Sequence, residues 1–221
     1  MTDRDPLYPA IAFLPRSSPM LSGSISVFLS ACGWSRTCWR HEGLLSRIKR
    51  SGFGQRNSAG RLGDKWHLDE VVVSIRGKKH WLWRAVDQDG FVLDVLVQSR
   101  RNAKAAKRLM RKLLKSQARA PRVMITDKLR SYDAAKREIM PSVEHRSHKG
   151  LNNRAENSHQ PIRRRERIMK RFKSQRHLQR FVSIHDPIAN LFHIPRHDIS
   201  SSHHRDLRSE AMNLWAKIAR T

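Results

Sequence analysis

The sequence predicts an α/β protein in which a mixed sheet carries helices on both faces. Three observations support this prediction. Residues 66–98 contain three runs rich in β-branched and aromatic side chains, separated by turns that contain glycine. Residues 104–115 place apolar side chains at helical spacing. A short apolar run at 122–126 and a short strand-like stretch at 143–146 then alternate with helical stretches, an order typical of a mixed sheet covered by helices.

Residues 1–63 are the least regular part of the chain. Four prolines come first, a serine-rich apolar run follows, and glycines are frequent after residue 50. Because no sustained helical period is present, we predict an atypical, poorly ordered segment with one short helix around residues 44–50. The apolar run at 20–32 is too short and too polar to span a bilayer, so we expect no membrane association.

Residues 66–87 read as two paired strands with one acidic residue among apolar neighbours. Val71, Val73 and Ile75 follow Asp69, and residues 76–78 supply a turn. Side chains alternate along a strand, so we expect Asp69 on one face and Glu70 pointing away on the other. Both faces are largely apolar, which predicts a central strand where an unpaired carboxylate is costly. Asp69 therefore needs a partner.

The remaining elements follow in a definite order. A third strand is expected at 91–98, a helix with a basic outer face at 104–115, and a fourth strand that ends at Asp127. A helix at 131–140 and a short strand at 143–146 precede a helix that begins near residue 153 and carries Glu156. We expect further helices at 178–192, disturbed by Pro187, and at 206–219. The ribonuclease H-like fold has this order of elements.

The charge of the chain indicates its partner. The 221 residues include 45 Lys and Arg but only 19 Asp and Glu, for a formal net charge of +26. The excess begins near residue 100 and extends to the end, so a polyanion such as DNA or RNA is the expected ligand. A solvated basic surface is the alternative. The densest basic run, expected to contact phosphates, comprises Arg163, Arg164, Arg165, Arg167, Lys170, Arg171 and Lys173.

Three acids are candidates for chemistry in this basic protein: Asp69, Asp127 and Glu156. Carboxylates brought together favour hard divalent cations such as Mg²⁺, which prefers oxygen ligands and is often shared with substrate phosphates. Without a metal, three clustered carboxylates would repel one another. Each acid taken alone is more simply explained as an ordinary surface charge or a helix cap.

Five motifs resemble a known family. They are WHLDE at 66–70, GKKHWLWRAVD at 77–87, TDKLRSY at 126–132, EHR at 144–146 and NNRAENSH at 152–159. Together they resemble the catalytic domain of bacterial insertion-sequence transposases with a DDE triad, the insertion-sequence-six family. The resemblance runs from about residue 64 to near the C-terminus.

The resemblance implies a ribonuclease H-like catalytic domain at 64–200, followed by a C-terminal helix at 201–221. It implies that Asp69, Asp127 and Glu156 bind Mg²⁺, which Mn²⁺ can replace, and catalyse DNA cleavage and strand transfer. Arg163 matches the basic residue that follows the family's glutamate by seven positions, although Pro161 lies between. The implied partners are the element ends, target DNA and further copies of the chain, in the bacterial cytoplasm at the nucleoid.

The resemblance stops before residue 64. Family members carry a helix-turn-helix ahead of the catalytic domain, and residues 1–63 do not resemble it. We therefore expect impaired recognition of specific DNA ends and weak or absent transposition by this copy. Two alternative functions stay open from the sequence: a metal-dependent nuclease of the same fold, and a non-catalytic basic protein that binds nucleic acid.

Overall fold

Five strands form one mixed sheet in the part of the chain that the structure describes. The structure, a computed structural model, describes residues 63–168, 171–194 and 199–219. The strands are β1 (Lys65–Ile75), β2 (Lys78–Asp87), β3 (Val92–Gln98), β4 (Val123–Thr126) and β5 (Glu144–Ser147). The predictions for residues 1–62, including the short helix and the missing helix-turn-helix, lie outside the described residues.

The sheet order is β3-β2-β1-β4-β5. The first three strands form an antiparallel meander, whereas β4 runs parallel to β1 and β5 runs parallel to β4. Arg76 and Gly77 form the two-residue turn between β1 and β2, both with positive φ (51° and 77°), the backbone geometry that matches the twist of a tight hairpin. This topology is ribonuclease H-like, as predicted, and it places β1 at the centre of the sheet.

Helices cover both faces of the sheet, as the sequence predicted. They are α1 (Ala103–Gln117), α2 (Arg130–Ile139), α3 (Asn153–Ser158), α4 (Gln160–Ile168), α5 (Gln175–Phe192) and α6 (Ser201–Ala219). Helix α1 buries Leu109, Met110 and Leu113 and keeps its basic residues outside, and the Asn102 side chain caps its first turn by accepting from the Ala105 N–H at 3.1 Å.

Alternation along β1 separates two apolar cores. Trp66 and Leu68 pack on the face covered by α1 and α2, while Val73 and Ile75 pack on the face covered by α4 and α5. Asp69 belongs to the second face and Glu70 to the first. The two acids therefore leave the strand toward opposite sides, as expected from their positions.

The last three helices differ in detail from simple helical periodicity. Pro161 occupies the second residue of α4, where a missing N–H is tolerated, so the chain restarts a helix there after α3 ends. Pro187 lies inside α5, which nevertheless runs unbroken from residue 175 to 192. Helix α6 begins at Ser201, five residues before the predicted start.

Among the helices of the described residues, none combines the length and the hydropathy that a membrane span requires.

Candidate active site

Asp69 and Asp127 meet where β1 passes the end of β4. The last parallel pair between these strands is Leu68 with Thr126, so the next residue on each strand is an aspartate. Carboxylate oxygens of Asp69, Glu70 and Asp127 lie within 4.8 Å of one another. The structure thus brings two of the three predicted acids together, and it adds Glu70. Oxygen donors at this spacing suit a hard divalent cation.

Backbone contacts hold Asp127 at this position. The Leu129 N–H donates to Oδ1 of Asp127 at 3.1 Å, which turns the chain into α2. The hydroxyls of Thr126 and Ser147 both donate to the Asp127 carbonyl, at 2.8 and 3.0 Å. Thr126 is also 2.9 Å from Nε2 of His145, so that histidine has a hydrogen-bonding role in the fold.

Glu70 leaves β1 on the opposite face from Asp69, as predicted, yet one of its carboxylate oxygens reaches the cluster. Its Cβ lies on that opposite face, but β1 extends past the end of β4, so no strand on the β4 side separates the two faces there. The carboxylate accepts from the Tyr132 hydroxyl at 2.7 Å and from Nε of Arg101 at 2.8 Å, and its side chain is 1% exposed. Burial raises the pKa of Glu70 to about 7, against the lowering effect of Tyr132.

Arg101 is a cation beside these acids. Its Nη2 atom lies 2.5 Å from Oε1 of Glu70 and 3.7 Å from Oδ2 of Asp127. The guanidinium carbon lies 5.0 Å from the centroid of the Trp81 ring, within the range of a cation–π contact. The guanidinium thus forms a close pair with Glu70 and only approaches Asp127.

Helix α3 is attached to β1 by two side chains. The buried Asn152, at the start of the helix, donates from Nδ2 to the Leu68 carbonyl at 2.9 Å. At the other end, Nε2 of His159 lies 3.3 Å from Oδ2 of Asp69. Burial lowers the pKa of His159, and the contact with Asp69 opposes this effect.

Glu156 lies between these two contacts along the helix. It follows Asn152 by four residues and precedes His159 by three, so the three residues share one helical face. Its side chain is exposed, and among the described acids the cluster within 4.8 Å consists of Asp69, Glu70 and Asp127. Glu156 therefore lies on the face of α3 whose two ends contact β1, and it is separate from the tight cluster.

A buried ion pair between Arg84 and Asp186 holds the end of α3 against the sheet. Arg84 is the cross-strand partner of Asp69 in the β1–β2 pairing, and it donates to the carboxylate of Asp186 in α5 and to the carbonyl of Ser158 at the end of α3. Arg84 is 1% exposed and Asp186 is 4% exposed. This pair connects the central sheet, α3 and α5 next to Asp69, on the same face of the sheet.

The comparison with protein families identifies the fold that carries this site. The family model described as the DDE domain matches residues 63–194, more than half of the chain. The chain belongs to the DDE-domain family.

Named relatives of this DDE domain include insertion-sequence transposases. A transposase for the insertion-sequence-like element IS431mec of Staphylococcus aureus is 32% identical over 104 residues, which are 45% of this chain and 46% of the relative. An uncharacterized protein of Yersinia pseudotuberculosis is 34% identical over 77 residues, 34% of this chain and 72% of that protein. The chain spans about half the length of the staphylococcal relatives it matches. The predicted resemblance is confirmed at the level of the family.

The solved structures that resemble this chain have low sequence identity to it and low TM-scores. The catalytic domain of Mos1 mariner transposase is 15% identical, with a TM-score of 0.41, over 93% of this chain and 96% of that one. The catalytic core domain of HTLV-2 integrase is 17% identical, with a TM-score of 0.35, over 42% of this chain and 64% of that one.

The basic run of the DDE domain divides between surface and interior. Arg163 forms an ion pair with Glu166 at 3.2 Å within α4. Arg165 departs from the predicted set of phosphate contacts, because it is 1% exposed and its guanidinium lies 5.9 Å from the centroid of the Phe181 ring. Lys170 lies outside the described residues. The exposed members are Arg164, Arg167, Arg171 and Lys173.

Sequence reasoning missed Arg101, and it did not identify Asp69 as the group that His159 contacts. Arg101 stands in a sequence with many arginines, and only its position just before α1, next to the ends of β1 and β4, distinguishes it. His159 closes the motif at 152–159, three residues after Glu156, and this spacing on a helix was the available signal.

Proposed function

We propose that this chain is the catalytic part of an insertion-sequence transposase that cuts DNA strands and joins them to new sites. The observation that carries the proposal is the meeting of Asp69 and Asp127 at the ends of two paired strands in a chain of the DDE-domain family. The exposed Glu156 on α3 would complete the site as the third acid.

The residues present fit a divalent cation. Asp69 and Asp127 are partly exposed and supply oxygen ligands, so an ion can reach them from solvent. Glu70 is less suited, since both of its oxygens already have donors. When bound, Mg²⁺ or Mn²⁺ would lower the pKa of the attacking water and neutralise charge on the reacting phosphate.

The chain's own residues would then set the geometry. His159 holds Asp69, the Leu129 N–H holds Asp127, and α3 carries Glu156 beside them. In cleavage, a water oxygen forms a bond to phosphorus, the bond to the 3′ oxygen breaks, and that oxygen leaves as a hydroxyl after taking up a proton. In strand transfer, this 3′ hydroxyl attacks a target phosphodiester, loses its proton, and displaces another 3′ oxygen.

The proposed partner is DNA, both as element ends and as target. The net charge of +26 and the exposed Arg164, Arg167, Arg171 and Lys173 support a grip on phosphates that weakens with salt. Pairing two DNA ends requires more than one active site, so we propose a homodimer or a higher multimer on DNA. The proposed location is the bacterial cytoplasm, at the nucleoid.

The test follows a labelled DNA duplex and a supercoiled plasmid incubated with the protein and Mg²⁺ or Mn²⁺. We expect nicked plasmid and label joined to plasmid, and we expect Asp69→Asn, Asp127→Asn and Glu156→Gln each to abolish both products. The controls are Asp206→Asn and Glu210→Gln, which neutralise exposed acids on α6 and should retain activity. Cleavage without joining would indicate a nuclease, and wild-type rates in the three variants would refute the triad.

A further inference from the structure

We propose that Arg101 contacts the DNA phosphate that reacts at Asp69 and Asp127, and that Glu70 and Trp81 hold it in place for this contact. The proposal rests on the proposed function and adds a residue to its catalytic machinery. Arg101 lies in the loop between β3 and α1, on the side of the sheet that Glu70 faces.

Glu70 is the anchor of Arg101. Its Oε1 atom receives Nε at 2.8 Å and lies 2.5 Å from Nη2 of the same guanidinium, while Oε2 receives the Tyr132 hydroxyl at 2.7 Å. A carboxylate that is 1% exposed requires such partners, because an unpaired buried charge is costly. Both Glu70 oxygens accept hydrogen bonds from protein donors, so Glu70 positions Arg101. The ligands of the proposed cation are then Asp69 and Asp127.

Trp81 fixes the plane of the guanidinium. The ring centroid lies 5.0 Å from the guanidinium carbon, and Trp81 itself packs against the core beneath α1. A side chain gripped at its Nε edge by Glu70 and on its flat face by Trp81 loses little further freedom when it binds a ligand. Such preorganisation favours a catalytic contact.

Part of the Arg101 edge near Asp127 is available to a phosphate. Nη2 carries two N–H groups, of which one faces Glu70; the distance of 3.7 Å from Nη2 to Oδ2 of Asp127 exceeds a hydrogen bond, and 38% of the Arg101 side chain is exposed. A phosphodiester held at the two aspartates would bring a non-bridging oxygen to this edge. The planar fork of arginine matches phosphate oxygens and would stabilise charge that develops on them.

The competing role for Arg101 is that of a counter-ion, which would neutralise the acids until a metal ion displaces it. The distances favour the phosphate contact, since Arg101 is much closer to Glu70 than to Asp127. A cation arriving at Asp127 would therefore remove only the weaker of its two contacts and leave the arginine in place.

The experiment uses the full chain and separates metal binding, DNA binding and cleavage. The variants are Arg101→Gln, Arg101→Lys and Glu70→Gln, with Arg100→Gln as the control, because Arg100 is the exposed neighbour with the same charge. Mn²⁺ affinity is measured without DNA by electron paramagnetic resonance. Affinity for a short labelled duplex is measured with Ca²⁺ by fluorescence anisotropy, and plasmid nicking is measured with Mn²⁺ at saturating DNA.

We expect Arg101→Gln to lower the nicking rate at saturating DNA by about 10- to 100-fold, with Mn²⁺ affinity within about twofold of wild type. Arg101→Lys should fall between, because it keeps the charge and loses the fork. Glu70→Gln should lower nicking while Mn²⁺ affinity is retained, and Arg100→Gln should match wild type. Circular dichroism verifies that each variant is folded. If Arg101→Gln unfolds, the nicking rate and Mn²⁺ affinity of Arg101→Lys decide the test instead.

Two results would overturn the proposal. Tenfold tighter Mn²⁺ binding by Arg101→Gln with a wild-type nicking rate would make Arg101 a counter-ion. A loss of Mn²⁺ affinity in Glu70→Gln as large as in Asp127→Asn would make Glu70 a metal ligand. In both cases the dependence of nicking on Asp69 and Asp127 would persist, so the proposed function would stand. If the wild type neither nicks DNA nor binds Mn²⁺ through these aspartates, both proposals fail.

Discussion

The Nε2 atom of His159 lies 3.3 Å from the Oδ2 atom of Asp69, which ties helix α3 directly to the central strand. The histidine is 4% exposed, so this contact is made away from solvent and restricts the orientation of the carboxylate. One oxygen of Asp69 is thereby directed toward the helix. Glu156, the third acid predicted from the sequence, is carried on the same helix.

His159→Gln is predicted to weaken Mn²⁺ binding by about 10- to 100-fold, because Asp69 loses the partner that orients it. Isothermal titration calorimetry measures the affinity, and circular dichroism verifies that the variant is folded. His203→Ala, which removes an exposed histidine from α6, is the control and should bind Mn²⁺ as the wild type does. Equal affinity in His159→Gln and wild type would show that the contact does not position Asp69.

The buried pair of Arg84 and Asp186 is predicted to be strongly coupled. Arg84→Met alone should lower the free energy of unfolding by about 3–5 kcal/mol, because it leaves Asp186 buried without its cation. The double variant Arg84→Met with Asp186→Leu should lose clearly less than the sum of the two single losses. Urea denaturation supplies these free energies.

An exposed ion pair provides the matched control for this cycle. Arg137 and Asp133 lie one helical turn apart on α2, with side chains 76% and 43% exposed. Arg137→Ala should change the free energy of unfolding by less than about 1 kcal/mol. Additive losses for the Arg84 and Asp186 variants would contradict the coupling.

Asp87 is predicted to make folding stability depend on pH. Its buried carboxylate accepts from the N–H groups of Asp89 and Phe91, both at 2.9 Å, and burial raises its pKa to about 6. The folded state therefore favours the protonated form. The cost of ionisation is absent below about pH 4, grows as pH rises toward 6, and is complete above it.

Asp87→Asn should remove this cost and keep the two hydrogen bonds. Relative to wild type, we expect the variant to gain about 2–3 kcal/mol in free energy of unfolding between pH 4 and pH 7.5. Urea denaturation of both proteins at several pH values gives the difference, in which the contributions of other titrating groups cancel. A difference that stays constant with pH would show that Asp87 is ionised without penalty.

Asn152 is predicted to anchor the first turn of α3. Asn152→Ala removes a buried donor from the Leu68 carbonyl, which should lower the free energy of unfolding by about 1–3 kcal/mol. Hydrogen exchange should also accelerate in α3 more than in α1. Asn153→Ala, an exposed change on the same helix, is the comparison and should leave exchange in α3 unaltered.

Periodicity predicted the fold well where one face of an element is apolar. The three strands of the meander and helix α1 have such faces, and their bounds match within a few residues. Helix α6 was placed too late because its first turn is polar and is started by Ser200, whose hydroxyl accepts from the His203 N–H at 3.2 Å. A polar first turn contributes no apolar period to the sequence.

The site was only partly predictable for a different reason. Asp69 and Asp127 were found through their positions in strands and through family motifs, but the inclusion of Glu70 depends on how far β1 extends past β4. The burial of Arg165 follows from helix phase, since it lies three residues after the buried Ile162 on α4. Neither the relative length of paired strands nor the phase of a short basic helix is encoded in local composition.

The parallel pairing of β1 with β4 has a consequence for when the protein acquires its chemistry. Asp69 and Asp127 are 58 residues apart in the chain, and the meander and α1 come between them. The meander is built from local hairpins, whereas β4 must close a long loop before it docks, and such contacts form slowly. A nascent chain that has completed only the meander holds one aspartate without the other. The proposed cutting ability would therefore arise late, after β4 has paired with β1 and α3, which carries Glu156, has packed against them.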